Sequence, residues 1–177
     1  MSQMEKTLAK PKSKKPVAAV SNGPKSGRWS AGKAGGGVVR NCVHGPSGKT
    51  TAKALAASSL IKSLKAGLPV QELDDLRTSL GLSMEHLVPM LGISKATLHR
   101  RKASGRLDPA ESDRVVRFAR LMGKAVEVLE SEENARGWLT SPQVGLGGAV
   151  PLQYAETEVG AREVEDLLGR MEYGVYS

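Results

Sequence analysis

The chain has 177 residues and a net charge of +8, with 40% apolar residues but only 3% aromatic ones. This length holds one ordinary domain or two small ones. A core so poor in aromatic residues must be built from Leu, Val, Ala and Met, which favours packed helices over a β-sandwich, so the expected fold class is all-α. A lone cysteine, Cys42, excludes an intramolecular disulfide and suits a reducing, cytoplasmic location.

Residues 1–53 are predicted to be a disordered basic arm. Lys, Gly, Pro, Ser and Ala dominate, and the apolar surface is too small to offset the entropy of ordering the chain. Residues 1–66 hold 13 Lys or Arg residues against a single acid, Glu5. Two interpretations stay open: an arm that adds nonspecific DNA affinity through counterion release, or an upstream extension from a start codon assigned too early.

Two motifs in the arm resemble ligand sites without completing them. The segment 45–50 ends like a phosphate-binding loop, but Val43 stands where the pattern requires a glycine, and no apolar strand precedes it. Cys42 and His44 form a Cys-x-His pair, whereas a structural metal site needs about four ligands. We therefore expect neither a cofactor nor a metal.

Residues 54–124 are predicted to form a helix-turn-helix DNA-binding domain. Apolar residues recur at helical spacing over 51–64 and again over 70–80, which predicts two helices. Asp108-Pro109 then begins a long helix, since Asp is a good N-cap and Pro suits the first helical position. Its apolar stripe continues to about Ser131.

The turn around Gly92 predicts the DNA-reading motif. Ser83 and Ser94 are N-caps of two short helices, and Gly92 ends the first of them. Such a turn lets two helices cross steeply, and the second helix of the motif enters the major groove. The candidate base contacts are Ser94, Lys95 and Thr97, and the candidate phosphate contacts are Arg100, Arg101, Lys102 and Arg106. A plain helical hairpin with a solvated basic face is the alternative.

Residues 125–177 are predicted to form a second, acidic helical domain. They hold ten acids and three basic residues, whereas 95–124 holds nine basic residues and three acids. The basic segment suits phosphate, and the acidic segment suits a basic protein surface. Thr157 is the predicted N-cap of the last helix. Beyond that helix, Tyr173 and Tyr176 are candidate interface anchors, because tyrosine combines apolar area with a hydroxyl.

Enzyme signatures are missing from the sequence. The histidines His44, His86 and His99 lie in the arm and in the helix-turn-helix, and no spacing pairs a nucleophile with a base. The acids of the last helix have the pattern of a solvated face. We therefore expect a binding protein and not an enzyme.

Several dispersed motifs occur in a fixed order in the second half of the chain. They are Leu91-Gly92-Ile93-Ser94, Thr97-Leu98-His99-Arg100-Arg101, Trp138-Leu139, the Leu146-Gly147-Gly148 turn with Pro151-Leu152, and residues 160–169 leading into Glu172-Tyr173-Gly174. Together they resemble the Xre-like helix-turn-helix and the toxin-binding domain of Xre/MbcA/ParS-type antitoxins. The resemblance spans residues 64–177, and the basic extension lies outside the family pattern.

The resemblance implies a type II toxin–antitoxin system in which the antitoxin is encoded beside a RES-domain toxin that depletes NAD⁺. It implies a homodimer whose C-terminal helix and tail block the toxin's active site, and whose complex represses its own promoter. By position, the residues expected at the toxin are Arg162, Glu165, Asp166, Arg170, Tyr173, Tyr176 and Ser177. An NAD⁺-consuming cleft binds an anion, so an acidic domain complements it. The alternative is a stand-alone helix-turn-helix transcriptional regulator whose C-terminal domain only dimerises.

Overall fold

The computed structural model describes residues 37–44 and 57–174, all within one compact unit, Gly35–Ser177. Over these residues the chain is helical and has no strand, which confirms the all-α prediction. None of the helices described is long and apolar enough to cross a membrane. The helices are α1 (Val38–His44), α2 (Ala57–Ala66), α3 (Gln71–Leu80), α4 (Met84–Met90), α5 (Lys95–Ser104), α6 (Pro109–Leu129), α7 (Glu132–Thr140), α8 (Pro151–Tyr154) and α9 (Glu158–Glu172), with a 3-10 turn at Val144–Leu146.

The 21-residue helix α6 is the centre of the molecule, and α1, α2, α3, α7 and α9 all pack on it. Its start is as predicted, because Asp108 and Glu111 form a complete capping box around Pro109. Phe118 and Leu121 on this helix are fully buried in the core. The helix ends two residues before the predicted Ser131, since Glu130 adopts a left-handed conformation with φ 57°.

The predicted helix-turn-helix forms from α4 and α5. Ser83 and Ser94 cap the two helices as expected, since each side chain accepts a backbone N–H of the first turn. Gly92 has φ +65°, the left-handed conformation that a glycine adopts at little cost. Leu91 and Ile93 on either side of it are buried in the core, which fixes the turn to the body of the domain.

Helix α1 lies inside the segment predicted to be disordered, so the prediction was wrong for residues 38–44. Val39 and Val43 are one helical turn apart and both buried, which gives this short segment an apolar face. The carboxylate of Glu72 accepts the N–H groups of Val38 and Val39, each at 2.8 Å, and so satisfies the N-terminus of α1. The rest of the predicted arm, residues 1–36 and 45–53, lies outside the described residues.

The C-terminal helices pack closely because glycine stands where backbones meet. A Cβ on Gly160 of α9 would overlap the carbonyl oxygen of Tyr154, and one on Gly123 of α6 would overlap that of Cys42. Thr157 caps α9 as predicted, through the N–H of Gly160 at 3.1 Å. The chain thus holds α8 against α9, and α1 against α6, at backbone contact distance.

Candidate functional site

Helix α5 is the least embedded helix of the domain, and none of its residues is buried. Its first turn is ordered by two side chains: Ser94 Oγ accepts the Thr97 N–H at 3.1 Å and donates to Thr97 Oγ1 at 2.9 Å. Lys95, Arg100 and Lys102 are exposed to solvent. An ordered, exposed helix start with three exposed cations can make base-edge and phosphate contacts.

Two of the arginines predicted to contact phosphate have partners inside the protein. The Nε of Arg101 lies 2.8 Å from Oε2 of Glu111, and its side chain is only 22% exposed. Arg106 donates to the carbonyl oxygens of Ala66 and Gly67, the latter at 2.7 Å. Arg101 is therefore partly buried in an ion pair, whereas Arg106 is exposed and is held by two backbone carbonyl oxygens.

The turn between α4 and α5 is also tied to α6. Arg114 Nη1 donates to the carbonyl oxygen of Leu91 at 2.8 Å, and the same guanidinium lies against Gly92. This bond satisfies a carbonyl that the end of α4 leaves without a helical partner. Helix α6 thus contacts α5 through Glu111 and the preceding turn through Arg114.

Helix α9 faces α6 through a ladder of ion pairs. Three basic side chains on successive turns of α6 meet three acids spaced seven residues apart on α9. The pairs are Arg117–Glu158 at 3.0 Å, Arg120–Glu165 at 3.1 Å and Lys124–Glu172 at 2.6 Å. The bond to Glu172 raises the pKa of Lys124. Burial alone would raise the pKa of Glu158, but the hydrogen bond from Arg162 and the charge of Arg117 lower it below its ordinary value.

The face of α9 opposite its buried residues is exposed. Its positions lie within a narrow arc of the helix, because steps of three, four, four and three residues return to one side. Val159, at one end, is 72% exposed, and Tyr173, at the other, is 79% exposed. The outer face is defined by Val159, Arg162, Asp166, Arg170 and Tyr173. Its length is about 21 Å at 1.5 Å per residue.

The structure brings together four of the predicted toxin-contacting residues and separates a fifth. Arg162, Asp166, Arg170 and Tyr173 belong to the outer face. Glu165 lies on the α6 side, where it pairs with Arg120. Tyr176 and Ser177 lie outside the described residues. The outer face is therefore mixed in charge, and the acids that pair with α6 account for part of the segment's acidic excess.

An open cleft of about 610 Å³ lies beside α1 and is lined by residues of α1, α6 and α9. Burial raises the pKa of the Cys42 thiol at its edge, which keeps the thiol protonated at neutral pH. His44 is 3.4 Å from Glu132 across α1 and α7. No cluster of three metal-ligating side chains occurs among residues 37–44 and 57–174.

Sequence reasoning missed the residues that act through long-range contacts. Glu72 and Glu111 are 34 and 10 residues from their partners Val38 and Arg101, so no local spacing links them. Only the Asp108-x-x-Glu111 spacing, the signature of a capping box, could have marked Glu111 as a structural residue.

Comparison with known proteins agrees with this arrangement. Residues 59–120 match the model of the antitoxin Xre-like helix-turn-helix domain. Residues 124–174 match that of the antitoxin Xre/MbcA/ParS C-terminal toxin-binding domain. The junction between the two matches falls inside α6, which continues through it without a break.

Three curated relatives share most of their length with this chain. Antitoxin Xre of Yersinia enterocolitica serotype O:8 is 38% identical over 120 residues, which cover 67% of this chain and 81% of the relative. Antitoxin Xre of Photorhabdus laumondii is 33% identical over 116 residues, which cover 64% of this chain and 78% of the relative. The Prs ADP-ribosylating antitoxin of a Sphingobium species is 23% identical over 124 residues, again 64% and 78%.

The two domain matches occur in the order expected from the sequence, and the Yersinia relative exceeds 30% identity over most of its own length. The exposed helix α5 lies within the first match and the outer face of α9 within the second. The chain belongs to the Xre/MbcA/ParS family of antitoxins, non-enzymatic regulatory proteins that neutralise a toxin.

Proposed function

We propose that the outer face of α9 and the residues after it bind a RES-domain toxin, and that α5 binds the promoter of the protein's own operon. The observation that carries the toxin assignment is where apolar surface remains exposed. Of the five large apolar side chains most exposed among the described residues, Val144, Tyr154, Val159 and Tyr173 lie within the toxin-binding match, and only Ile61 lies elsewhere. Exposed apolar side chains concentrated in one region are typical of a protein interface.

The composition of the outer face supports a protein partner. Tyr173 and the arginines Arg162 and Arg170 are residue types that frequently dominate binding energy. Arg162 forms an exposed ion pair with Glu158 at 3.3 Å, which is weak enough to be exchanged for a partner. We assign the toxin contact to this face and to Tyr176 and Ser177. Glu165 contributes only indirectly, through its ion pair with Arg120.

The class of toxin is inferred from the family resemblance. A RES-domain toxin consumes NAD⁺, and the name of the Sphingobium relative includes ADP-ribosylation, a reaction that also consumes NAD⁺. Residues 173–177 follow the last residue of α9 in sequence, and we assign them to the toxin's active site. The proposed mechanism is stoichiometric: the tail occupies the space that NAD⁺ would enter.

The promoter contact is assigned to Ser94, Lys95, Thr97, Arg100 and Lys102. Helix α5 offers an ordered N-terminus to base edges and its exposed cations to phosphates. A homodimer would place two such helices on a two-fold operator. We therefore assign residues 54–124 to DNA and residues 125–177 to the toxin, and we place the protein in the cytoplasm.

Removing residues 173–177 tests the blocking mechanism. The truncated chain should still bind purified toxin through Arg162, Asp166 and Arg170, more weakly because Tyr173 is removed with the tail, while NAD⁺ consumption by the complex at saturating antitoxin returns to the rate of free toxin. A control truncation of residues 1–36, which lie outside both family matches, should inhibit as the full chain does. If the chain without 173–177 still inhibits fully, the tail does not block the active site.

The same two proteins, the chain and the purified toxin, distinguish this proposal from the alternative of a stand-alone transcriptional regulator. Under that alternative the chain binds its promoter but forms no complex with the product of the neighbouring gene. Co-purification of the two proteins at equal stoichiometry in high salt would exclude it, because an apolar and aromatic interface persists where exposed ion pairs are screened.

A further inference from the structure

We propose that Glu111 holds α5 in its DNA-binding orientation by anchoring Arg101, so that Arg101 is a positioning residue and not a phosphate contact. The proposal rests on the proposed promoter binding by α5. It concerns the opposite end of that helix from its base-reading first turn, and it assigns a role to an acid that makes no contact with DNA.

The geometry of Arg101 is that of a fixed group. Its Nε lies 3.1 and 2.8 Å from the two carboxylate oxygens of Glu111, and its Nη2 lies 3.6 Å from Asp108. The Glu111 side chain is only 10% exposed, so the pair is formed where water screens it little. A guanidinium in this arrangement cannot turn to a phosphate without leaving a buried carboxylate unpaired, which is costly.

Glu111 is itself held rigidly. Its Oε2 accepts the backbone N–H of Asp108 at 2.7 Å, which completes the capping box at the start of α6. The carboxylate therefore joins the N-terminus of α6 to the last turns of α5. Because none of the α5 residues is buried, packing alone fixes this helix weakly, and the ion pair supplies the missing restraint.

The neighbouring cations provide a contrast. Arg100 and Lys102 flank Arg101 in sequence but are exposed. Steps of one residue turn a helix by about 100°, so adjacent positions cannot share a face. Arg100, a candidate phosphate contact, therefore serves as the matched control for Arg101, which contacts groups inside the protein.

The test compares lysine substitutions in the full-length protein with a duplex from the region upstream of its operon. Arg101→Lys keeps the charge but loses the Nε bonds, so we expect operator affinity to fall about tenfold, the equivalent of one charged hydrogen bond. The dependence of affinity on salt should not change. Arg100→Lys should bind nearly as the parent does, while Arg100→Ala should reduce the salt slope by about one phosphate contact.

Glu111→Gln should change DNA affinity in opposite directions, depending on whether Glu111 acts only through its charge or positions α5. Removing an acid from a DNA-binding domain should tighten binding if only charge matters. If Glu111 positions α5, binding should weaken about tenfold as for Arg101→Lys, since glutamine preserves the capping box but not the ion pair. Tighter binding by Glu111→Gln, with Arg101→Lys at parental affinity, would overturn the proposal.

Hydrogen exchange without DNA separates this proposal from promoter binding itself. Both variants should speed exchange of the α5 amides about tenfold and leave those of α9 unchanged. If the parent protein binds no promoter duplex, the DNA-binding assignment fails, and exchange alone decides the positioning role. Unchanged α5 exchange in both variants would overturn it.

Discussion

Helices α5 and α9 present two kinds of surface. Helix α5 buries no residue and carries exposed cations, whereas α9 buries Gly160, Ala161, Val164 and Leu168 and still exposes Val159 and Tyr173. A helix held by a few polar bonds offers its charges to a charged ligand. A helix held by an apolar face can offer a rigid, partly apolar surface to a protein. Helix α5, which we propose to face DNA, is thus held by side-chain anchors, and α9, which we propose to face the toxin, is held by packing.

The same comparison changes the meaning of the charge pattern. The basic excess of 95–124 and the acidic excess of 125–177 partly cancel across the α6–α9 ladder. Six of the nine basic residues in the first segment contact groups inside the protein: Arg101, Arg106, Arg114, Arg117, Arg120 and Lys124. The remaining three, Lys95, Arg100 and Lys102, are exposed and lie on α5. Segment charge therefore overstates how different the two surfaces are.

The largest effect is expected where α9 meets α8. Gly160→Ala should destabilise the protein by about 3 kcal/mol, because the new Cβ overlaps the Tyr154 carbonyl and the backbones must separate. The control is Gly169→Ala on the same helix, where a Cβ meets no atom within 4 Å. That substitution should stabilise by about 0.5–1 kcal/mol. Urea unfolding measures both, and equal stabilities would contradict the close approach.

A second prediction concerns α1. Gly123→Ala should cost about 2 kcal/mol, since its Cβ would push the Cys42 carbonyl and lift α1 from α6. The half-buried Cys42 thiol should then react faster with a thiol reagent at constant pH. Glu72→Gln, which keeps one acceptor for the α1 N–H groups, should have a smaller effect of the same sign. An unchanged thiol reaction rate in Gly123→Ala would show that α1 is not held there.

Removing the N-cap of each helix distinguishes the roles of α4 and α5 in the helix-turn-helix. Ser83→Ala and Ser94→Ala each remove one N-cap and should each cost about 1 kcal/mol. Only Ser94→Ala should also weaken promoter binding, because Ser94 caps the helix that we propose to read bases. Unfolding and binding measured on both variants test this. Equal loss of DNA affinity in the two would mean that the effect comes from general destabilisation.

The smallest effect on stability is expected from the ion pairs between α6 and α9. It appears as a change in how the stability depends on pH. The lowered pKa of Glu158 means that its charged form is favoured in the folded state. Its contribution is present at neutral pH and is lost as pH falls below its ordinary value of 4.5. Since the group is mostly exposed, the contribution stays below about 1 kcal/mol. Between neutral and acidic pH, Glu158→Gln should therefore lose less unfolding free energy than the parent protein, by that amount. An equal loss in the two proteins would contradict this prediction.

Sequence patterns predicted the all-α class, the caps at Ser83, Ser94, Asp108 and Thr157, and the turn at Gly92. These features are local, since each depends on a side chain and backbone groups two or three residues away. Helix α1 was missed because its apolar face is short and its N-terminus is satisfied by Glu72, which is distant in sequence. The internal role of Arg101 was missed for the same reason.

The domain division is the other point at which sequence reasoning stopped short. A boundary at residues 124 and 125 follows the change in charge, yet α6 runs through it from Pro109 to Leu129. Periodicity had predicted that long helix, but not that both halves of the chain would pack on it. Side chains of the shared helix anchor α5 at one end and α9 at the other, so the two proposed functions share one structural element.

The central claim is that the two surfaces are separable although they share α6. The direct measurement is survival of cells that express the cognate toxin together with one of two variants. The α5 variant carries Lys95→Ala, Arg100→Ala and Lys102→Ala, and the α9 variant carries Arg162→Ala, Arg170→Ala and Tyr173→Ala. With toxin and antitoxin both expressed from a foreign promoter at equal levels, we expect survival with the α5 variant and death with the α9 variant. Survival with the α9 variant, or death with the α5 variant, would contradict it.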